Sequence, residues 1–196
     1  MNKENPNVKI HVLAEGFKPK RETEGAVGYD VRLRAVVSAH EMDNQNPKLR
    51  RTLFDFDKTV DSSVERFVGM KVVEKGGTPE PVYRLEPGKM ALGGIGFCTE
   101  MPFPLCYLTL PRSGMASKHH IVVANAPGTV DPDYRGEAGI ILYNCGTESF
   151  YLHRRMRIAQ ILFTWALIPT FEEVASHAEL IASNRGAGGF GSTGTS

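Results

Sequence analysis

The sequence predicts an all-β sandwich or barrel, on three observations. Apolar residues fall in short runs of strand length, clusters of Gly, Pro and Asn punctuate those runs, and helical periodicity is weak along the chain. With 196 residues, 41% hydrophobic and 23% charged, the chain fits one domain with an ordinary core. Lys and Arg number 23 against 22 Asp and Glu, so the formal net charge of +1 gives no long-range field that would collect nucleic acid. Stable nucleic-acid binding is not expected. Three cysteines, Cys98, Cys106 and Cys145, lack CxxC spacing, and their odd number cannot close a disulfide framework. No apolar run reaches signal-peptide or membrane-spanning length, so no membrane association is expected and the location is read as cytoplasmic, or host-cytoplasmic for a viral source.

The elements follow in chain order. VKIHVLA (8–14) and YDVRLRAVV (29–37) read as the first strands. From 37 to 82 the composition turns more charged, with KLRR at 48–51 and DFDK at 55–58, and KGGTPEP at 75–81 closes the stretch. It is read as an insertion within a single domain spanning 1–196, either a decorated surface loop or a contact surface for a protein partner. Inside it, DSSVERFVGMKVVE (61–74) is the best helix candidate, with Asp61 or Ser62 as cap and Glu65 completing a capping box. Further strands are expected in LCYLTL (105–110), IVVANA (121–126), GIILYN (139–144) and RIAQILFTWALI (157–168). From Ser183 the chain reads SNRGAGGFGSTGTS, too rich in Gly and Ser to pack a core, and is expected to be a flexible C-terminal arm over 183–196.

Three segments carry chemistry. PRSGMASK (111–118) places Arg112, Ser113 and Gly114 at a strand end, where a cation, a hydroxyl and an unobstructed backbone N–H suit an oxyanion, although such a sequence is also an ordinary surface turn. GTVDPDYRGE (128–137) sets Asp131 before Pro132, and a carboxylate held rigidly there can deprotonate water; the same residues also build a plain Asx turn. RGAGGFGSTG (185–194) frees backbone N–H groups beside Arg185 and offers Phe190 for stacking, without the Lys or the following helix of a P-loop.

Taken in order, AVGYDVRL (26–33), PRSGMASK (111–118), NAPGTVDPDYRGE (125–137), RIAQILF (157–163) and RGAGGFGSTG (185–194) resemble the motif set of the trimeric dUTPase family. LEPGKMALGGIGF (85–97) resembles its approach to the second motif. The resemblance implies a jelly-roll-like β-barrel, a homotrimer with sites between subunits, and a C-terminal arm that reaches across to a neighbour. It implies hydrolysis of dUTP to dUMP and pyrophosphate with Mg2+, which limits uracil incorporation into DNA and supplies dUMP for thymidylate synthesis. Residue by residue, it implies that Asp131 activates the water attacking the α-phosphate and that Gln160 helps position that water. Asp30 acts near the metal through water rather than as a direct ligand, since Mg2+ is held mainly by triphosphate oxygens. Arg112, Ser113 and Gly114 hold the α- and β-phosphates, while Arg185 with Gly191, Ser192 and Thr193 grips the γ end. Tyr134 packs beneath the deoxyribose, backbone around Asn125 and Gly128 reads the uracil edge, and Phe190 covers the base.

The sequence departs from the family at Val27, at Met156 before RIAQ, and at Ala126-Pro127 in the hairpin, as well as in the insertion. A related reading, dCTP deaminase, needs a proton shuttle near the base. The position that would supply it is Ile141, which cannot move protons, and Glu137 lies on another register of the strand.

Overall fold

Alternation decides most of the architecture, because successive side chains of a strand point to opposite faces and only one face can be buried. GIILYN is representative: Ile140, Leu142 and Asn144 point into the core, while Gly139, Ile141 and Tyr143 are half-exposed. The computed structural model describes residues 5–57, 61–74 and 77–188. In chain order its strands are β1 (Lys9–Val12), β2 (Tyr29–Arg32), β3 (Ala35–Met42), β4 (Arg50–Asp55), β5 (Val68–Lys71), β6 (Glu80–Leu85) and β7 (Met90–Gly94). There follow β8 (Phe97–Glu100), β9 (Leu105–Leu110), β10 (Ile121–Val123), β11 (Gly128–Val130), β12 (Gly139–Asn144), β13 (Phe150–Leu152) and β14 (Arg157–Trp165).

The pairing is antiparallel throughout the described sheets, in the orders β1-β8, β10-β12-β7-β3-β4, β11-β9-β14-β2 and β13-β6-β5. One core runs between them, with Val31, Phe54, Leu85, Phe97, Tyr107, Leu142 and Ile158 among its members. The fold is thus all-β, as the punctuated runs predict. YDVRLRAVV gives two strands instead of one, because the chain changes sheets at Leu33 and Arg34, whose amides bond to Met156 O and Gly94 O at 2.8 and 2.9 Å.

The segment from 37 to 82 is built into this core. Strand β4 pairs with β3, β5 pairs with β6, and Phe54, Phe56 and Val64 are buried. The helix expected over 61–74 does not form. Asp61 Oδ1 accepts the Ser63 amide at 2.9 Å, so the capping chemistry is present, but only a 3-10 turn at Glu65–Phe67 follows before β5 begins. Val68, Gly69, Val72 and Val73 disfavour helix propagation, and the ladder to β6 with Phe67 stacked 5.5 Å from Tyr83 supplies the alternative. Among the described residues the one α-helix is α1 (Ser113–His119), which grows from the Arg-Ser-Gly turn. Met115 anchors it in the core, and it ends at His120, left-handed at φ 55°, whose amide bonds to Ala116 O.

The chain divides into two compact units, Met1–Ala166 and Leu167–Ser196. In the second, the described residues show a single 3-10 turn, His177–Glu179, opened by a Ser176/Glu179 capping box, and Leu167, Phe171 and Ile181 are almost fully exposed. The cysteines are all free thiols, and among the described residues no helix is long and apolar enough to cross a membrane.

Candidate active site

The stretch from Asn125 to Glu137 builds one wall of a cavity of about 620 Å³. β11 places Gly128 opposite Thr109 on β9, and the approach is close enough to demand glycine. A Cβ there would lie 2.5 Å from Thr109 Oγ1 and 2.6 Å from Asn125 Nδ2. Beyond β11 the chain turns through Asp131-Pro132-Asp133, with the Tyr134 amide returning to Asp131 O at 3.2 Å. The Tyr134 hydroxyl donates to Glu137 O at 3.0 Å, which fixes the ring. Asn125, Gly128, Asp131 and Tyr134 all line the cavity, and Asp131 is exposed to it. Apolar side chains including Val37, Leu53, Leu92 and Ile141 close the other sides. Behind β11, burial pushes the Tyr107 hydroxyl upward, so Tyr107 stays protonated and is part of the core.

A second cleft, about 480 Å³, gathers Gly28, Asp30, Arg112, Ser113, Gly114, Arg157 and Gln160. Asp30 is its hub: Oδ1 accepts Arg112 Nε at 3.1 Å and Oδ2 accepts Arg157 Nη1 at 3.2 Å. Glu22 also meets Arg157 Nη1 at 3.2 Å. Two guanidinium groups are thereby held side by side with donors to spare, beside the start of α1, where the first amides of a helix have no intrahelical acceptor. The Gln160 carboxamide donates to Pro111 O at 3.0 Å, and its Oε1 rests where a Cβ on residue 28 would sit, 2.5 Å away. Such a cleft accommodates oxyanions by charge and by donor direction.

The two clefts share no lining residue and lie at opposite edges of one sheet. Tyr29, Ile161, Thr109 and Gly128 form one row across β2, β14, β9 and β11. Three interstrand spacings separate its ends, roughly 14 Å at ~4.8 Å each.

The expected residues therefore fall into two groups, Asn125, Gly128, Asp131 and Tyr134 in the first cleft, and Asp30, Arg112, Ser113, Gly114 and Gln160 in the second. Arg185 is exposed in the other compact unit, its Nε donating to Gly188 O at 2.8 Å. Phe190, Gly191, Ser192 and Thr193 lie outside the described residues. Sequence reasoning did not single out Arg157, although it opens the RIAQ motif, nor Arg50, which lines the first cavity from β4. Among the described residues no cluster of three or more His, Cys, Asp or Glu is arranged to hold a metal ion.

The sequence model of the dUTPase family matches residues 82–194, which include Arg112, Asn125, Asp131, Tyr134, Gln160 and Arg185. A deoxyuridine 5'-triphosphate nucleotidohydrolase of Rhizobium leguminosarum bv. trifolii is 49% identical over 110 residues, covering 56% of this chain and 69% of that protein. The Staphylococcus bacteriophage 80alpha dUTPase with dUpNHpp superposes with a TM-score of 0.65 at 20% identity, over 96% of this chain and 99% of the other. A mutant dUTPase of phage phi11 of S. aureus, described with a structural Mg(II) ion, superposes at 0.59 and 15% identity, over 87% and 98% of the two chains. At those identities the likeness is one of fold. The family match and the bacterial relative go further: this chain belongs to the dUTPase family.

Proposed function

We infer that this chain hydrolyses dUTP to dUMP and pyrophosphate, and that the reacting centre forms where the Asp131 cavity of one copy meets the Asp30–Arg112 cleft of another. The family membership supports the reaction, and one observation carries the site: the candidate base and the phosphate-binding side chains stand at opposite edges of one sheet. A nucleotide whose α-phosphate must touch both is served by juxtaposed copies, and a homotrimer provides three such junctions. Each Arg185–Thr193 segment would then close over a junction and bring Phe190 to the base.

The nucleoside end enters the Asp131 cavity, where hairpin backbone near Asn125 and Gly128 pairs with uracil and Tyr134 leaves no room for a 2'-hydroxyl. Arg112, Ser113 and Gly114 hold the α- and β-phosphates. Asp131 takes a proton from water as the water oxygen bonds to the α-phosphorus, the bond to the bridging oxygen breaks, and pyrophosphate leaves. Gln160, fixed on Pro111 O, directs that water. Mg2+ bound to triphosphate oxygens would neutralise charge and fix the phosphate conformation, and a cation that keeps several waters fits a site whose nearest carboxylate, Asp30, already accepts from two arginines. The deaminase reading is disfavoured by Ile141 on the cavity wall and by Glu137, which is wholly buried against Arg34. A protein partner at 37–82 is compatible with turnover; Met70 and Val72, exposed by 62% and 54%, are its apolar surface, and a pull-down with Met70→Ser tests it without cutting the core.

The deciding experiment is pyrophosphate release from dUTP, dTTP, dCTP and UTP with Mg2+, for the unmodified chain and Asp131→Asn. Turnover of dUTP alone, lost in Asp131→Asn with nucleotide binding kept, supports the reading. Near-normal hydrolysis by Asp131→Asn removes Asp131 from the role of base.

A further inference from the structure

The far end of the Asp131–Glu137 turn is held by Glu137, whose amide donates to Lys48 O at 3.2 Å and whose carboxylate is forked by Arg34 at 3.0 and 2.8 Å. The near end, where the candidate base stands, needs a support of its own. Among the described residues no donor pairs with the Asp131 carboxylate, so its direction is set by its backbone. That backbone is only as fixed as the Pro132 carbonyl that follows it.

Arg135 supplies the support from the outer face of the turn. Its Nη1 donates to Pro132 O at 2.6 Å, with Tyr134 O at 3.3 Å and Thr99 O at 3.5 Å completing an arc of carbonyl acceptors. The Met101 amide adds a longer bond to Pro132 O at 3.4 Å. Thr99 and Met101 are both buried, and β8, which carries Thr99, is paired along its length with β1, so the turn is tied to an ordered ledge. A guanidinium donating to carbonyls makes charge-assisted bonds, which are stronger than neutral ones. Arg135 does not line the cavity with Asn125 and Tyr134; it lies behind the turn, in a groove shared with Phe103 and Pro132.

We propose that Arg135 is a positioning residue for hydrolysis: it fastens the Pro132 carbonyl to the β8 ledge, so that the Asp131 carboxylate keeps its direction toward the attacking water. This rests on the dUTP reading above, with Asp131 as base. A base must stand within hydrogen-bond reach of the proton it takes, and a displacement of about 1 Å can cost on the order of a hundredfold in rate. The nucleoside contacts are independent of this support. Asn125 and Gly128 precede the turn, and Tyr134 has its own tether through its hydroxyl to Glu137 O at 3.0 Å.

The test uses the full chain with Arg135→Met, which keeps an apolar stem and removes the donors, and with Arg135→Gln as the second variant, read in the same way, should the first not fold. Steady-state dUTP hydrolysis, calorimetric binding of dUMP and hydrogen exchange at the Tyr134 amide are measured, with thermal melting as the check on folding. The expected result is a kcat lowered about tenfold or more, with KM for dUTP and the dissociation constant for dUMP within about twofold, and faster exchange at Tyr134, whose amide closes the turn on Asp131 O. A kcat within about twofold of the unmodified chain overturns the proposal. So does a rise in KM and in the dUMP dissociation constant that matches the fall in kcat, which would make Arg135 a support of the nucleoside pocket. If the unmodified chain failed to hydrolyse dUTP, the functional reading would fall, and unchanged Tyr134 exchange in the variant would separately show that Arg135 does not hold the turn.

Discussion

Glu137 is fully buried and receives both sides of the Arg34 guanidinium, Nε on Oε1 at 3.0 Å and Nη2 on Oε2 at 2.8 Å. Gly96 N donates to Oε1 as well, at 2.9 Å. The pair joins the end of the Asp131 turn to the crossover between β2 and β3. Removing one partner leaves an uncompensated buried charge, so Arg34→Met should lower unfolding free energy by about 3–5 kcal/mol. Urea unfolding measures it. Turnover should fall too, because the turn loses its anchor, and the double variant with Glu137→Leu should recover much of the stability but not the activity. A single-variant loss below about 1 kcal/mol would mean that the pair is not the anchor.

Gly28 is the second point where a small change should reach the chemistry. A Cβ there would meet Gln160 Oε1 at 2.5 Å, and the obstacle is the end of a flexible side chain, so the carboxamide should swing away instead of the sheet parting. Gly28→Ala should therefore cost about 1 kcal/mol, one hydrogen bond to Pro111 O, yet, if Gln160 directs the water as proposed, reduce kcat more than tenfold by misplacing its carboxamide. Full kcat in Gly28→Ala would remove Gln160 from the water-positioning role.

What the sequence made legible depended on whether the cause was local. The strands were readable because runs such as LCYLTL and GIILYN have a length and alternation that only a half-buried sheet satisfies. The helix was misplaced because its signals were split: Asp61 and Glu65 carry cap chemistry without a helix to follow, whereas α1 begins with Ser113 and Gly114, poor helix formers, and depends on Met115 finding a core pocket. The site divides in the same way. Asp131, Gly128 and Gln160 stand in contiguous motifs, but the Arg34–Glu137 pair joins residues 103 positions apart, and Arg50 meets the cavity only once β4 is folded onto β3. No periodicity announces such contacts.

Acid should loosen the segment at 37–82 through Asp61. Hydrogen bonds from Ser63, through hydroxyl and amide, and then from Arg51 hold the Asp61 carboxyl down at about 2, from an ordinary 3.8. Because the folded value lies below the unfolded one, the stabilisation is complete above the ordinary value and is lost as pH falls from about 4 to about 2. Urea midpoints across that window should fall more steeply for the unmodified chain than for Asp61→Asn. Parallel pH profiles for the two proteins would show that the anchor does not depend on the charge.

The arm gives the sharpest separation of folding from function. Residues 167–196 form a compact unit of their own, and none of the described core cluster comes from its described residues. Deleting 185–196 removes Arg185 and the glycine-rich segment but no side chain of the described core cluster, so the melting temperature should be unchanged. If those residues grip the γ end of the triphosphate, the truncated protein should still bind dUMP, which lacks that end, while kcat/KM for dUTP drops by about a hundredfold or more, the scale of a lost charge-assisted phosphate clamp that positions the reacting group. Both quantities come from one preparation, by calorimetry and by pyrophosphate release. Equal turnover with and without residues 185–196 would place γ-phosphate binding in the Arg112–Arg157 cleft alone, and an equal loss of dUMP binding would make the arm part of the nucleoside pocket instead of its closure.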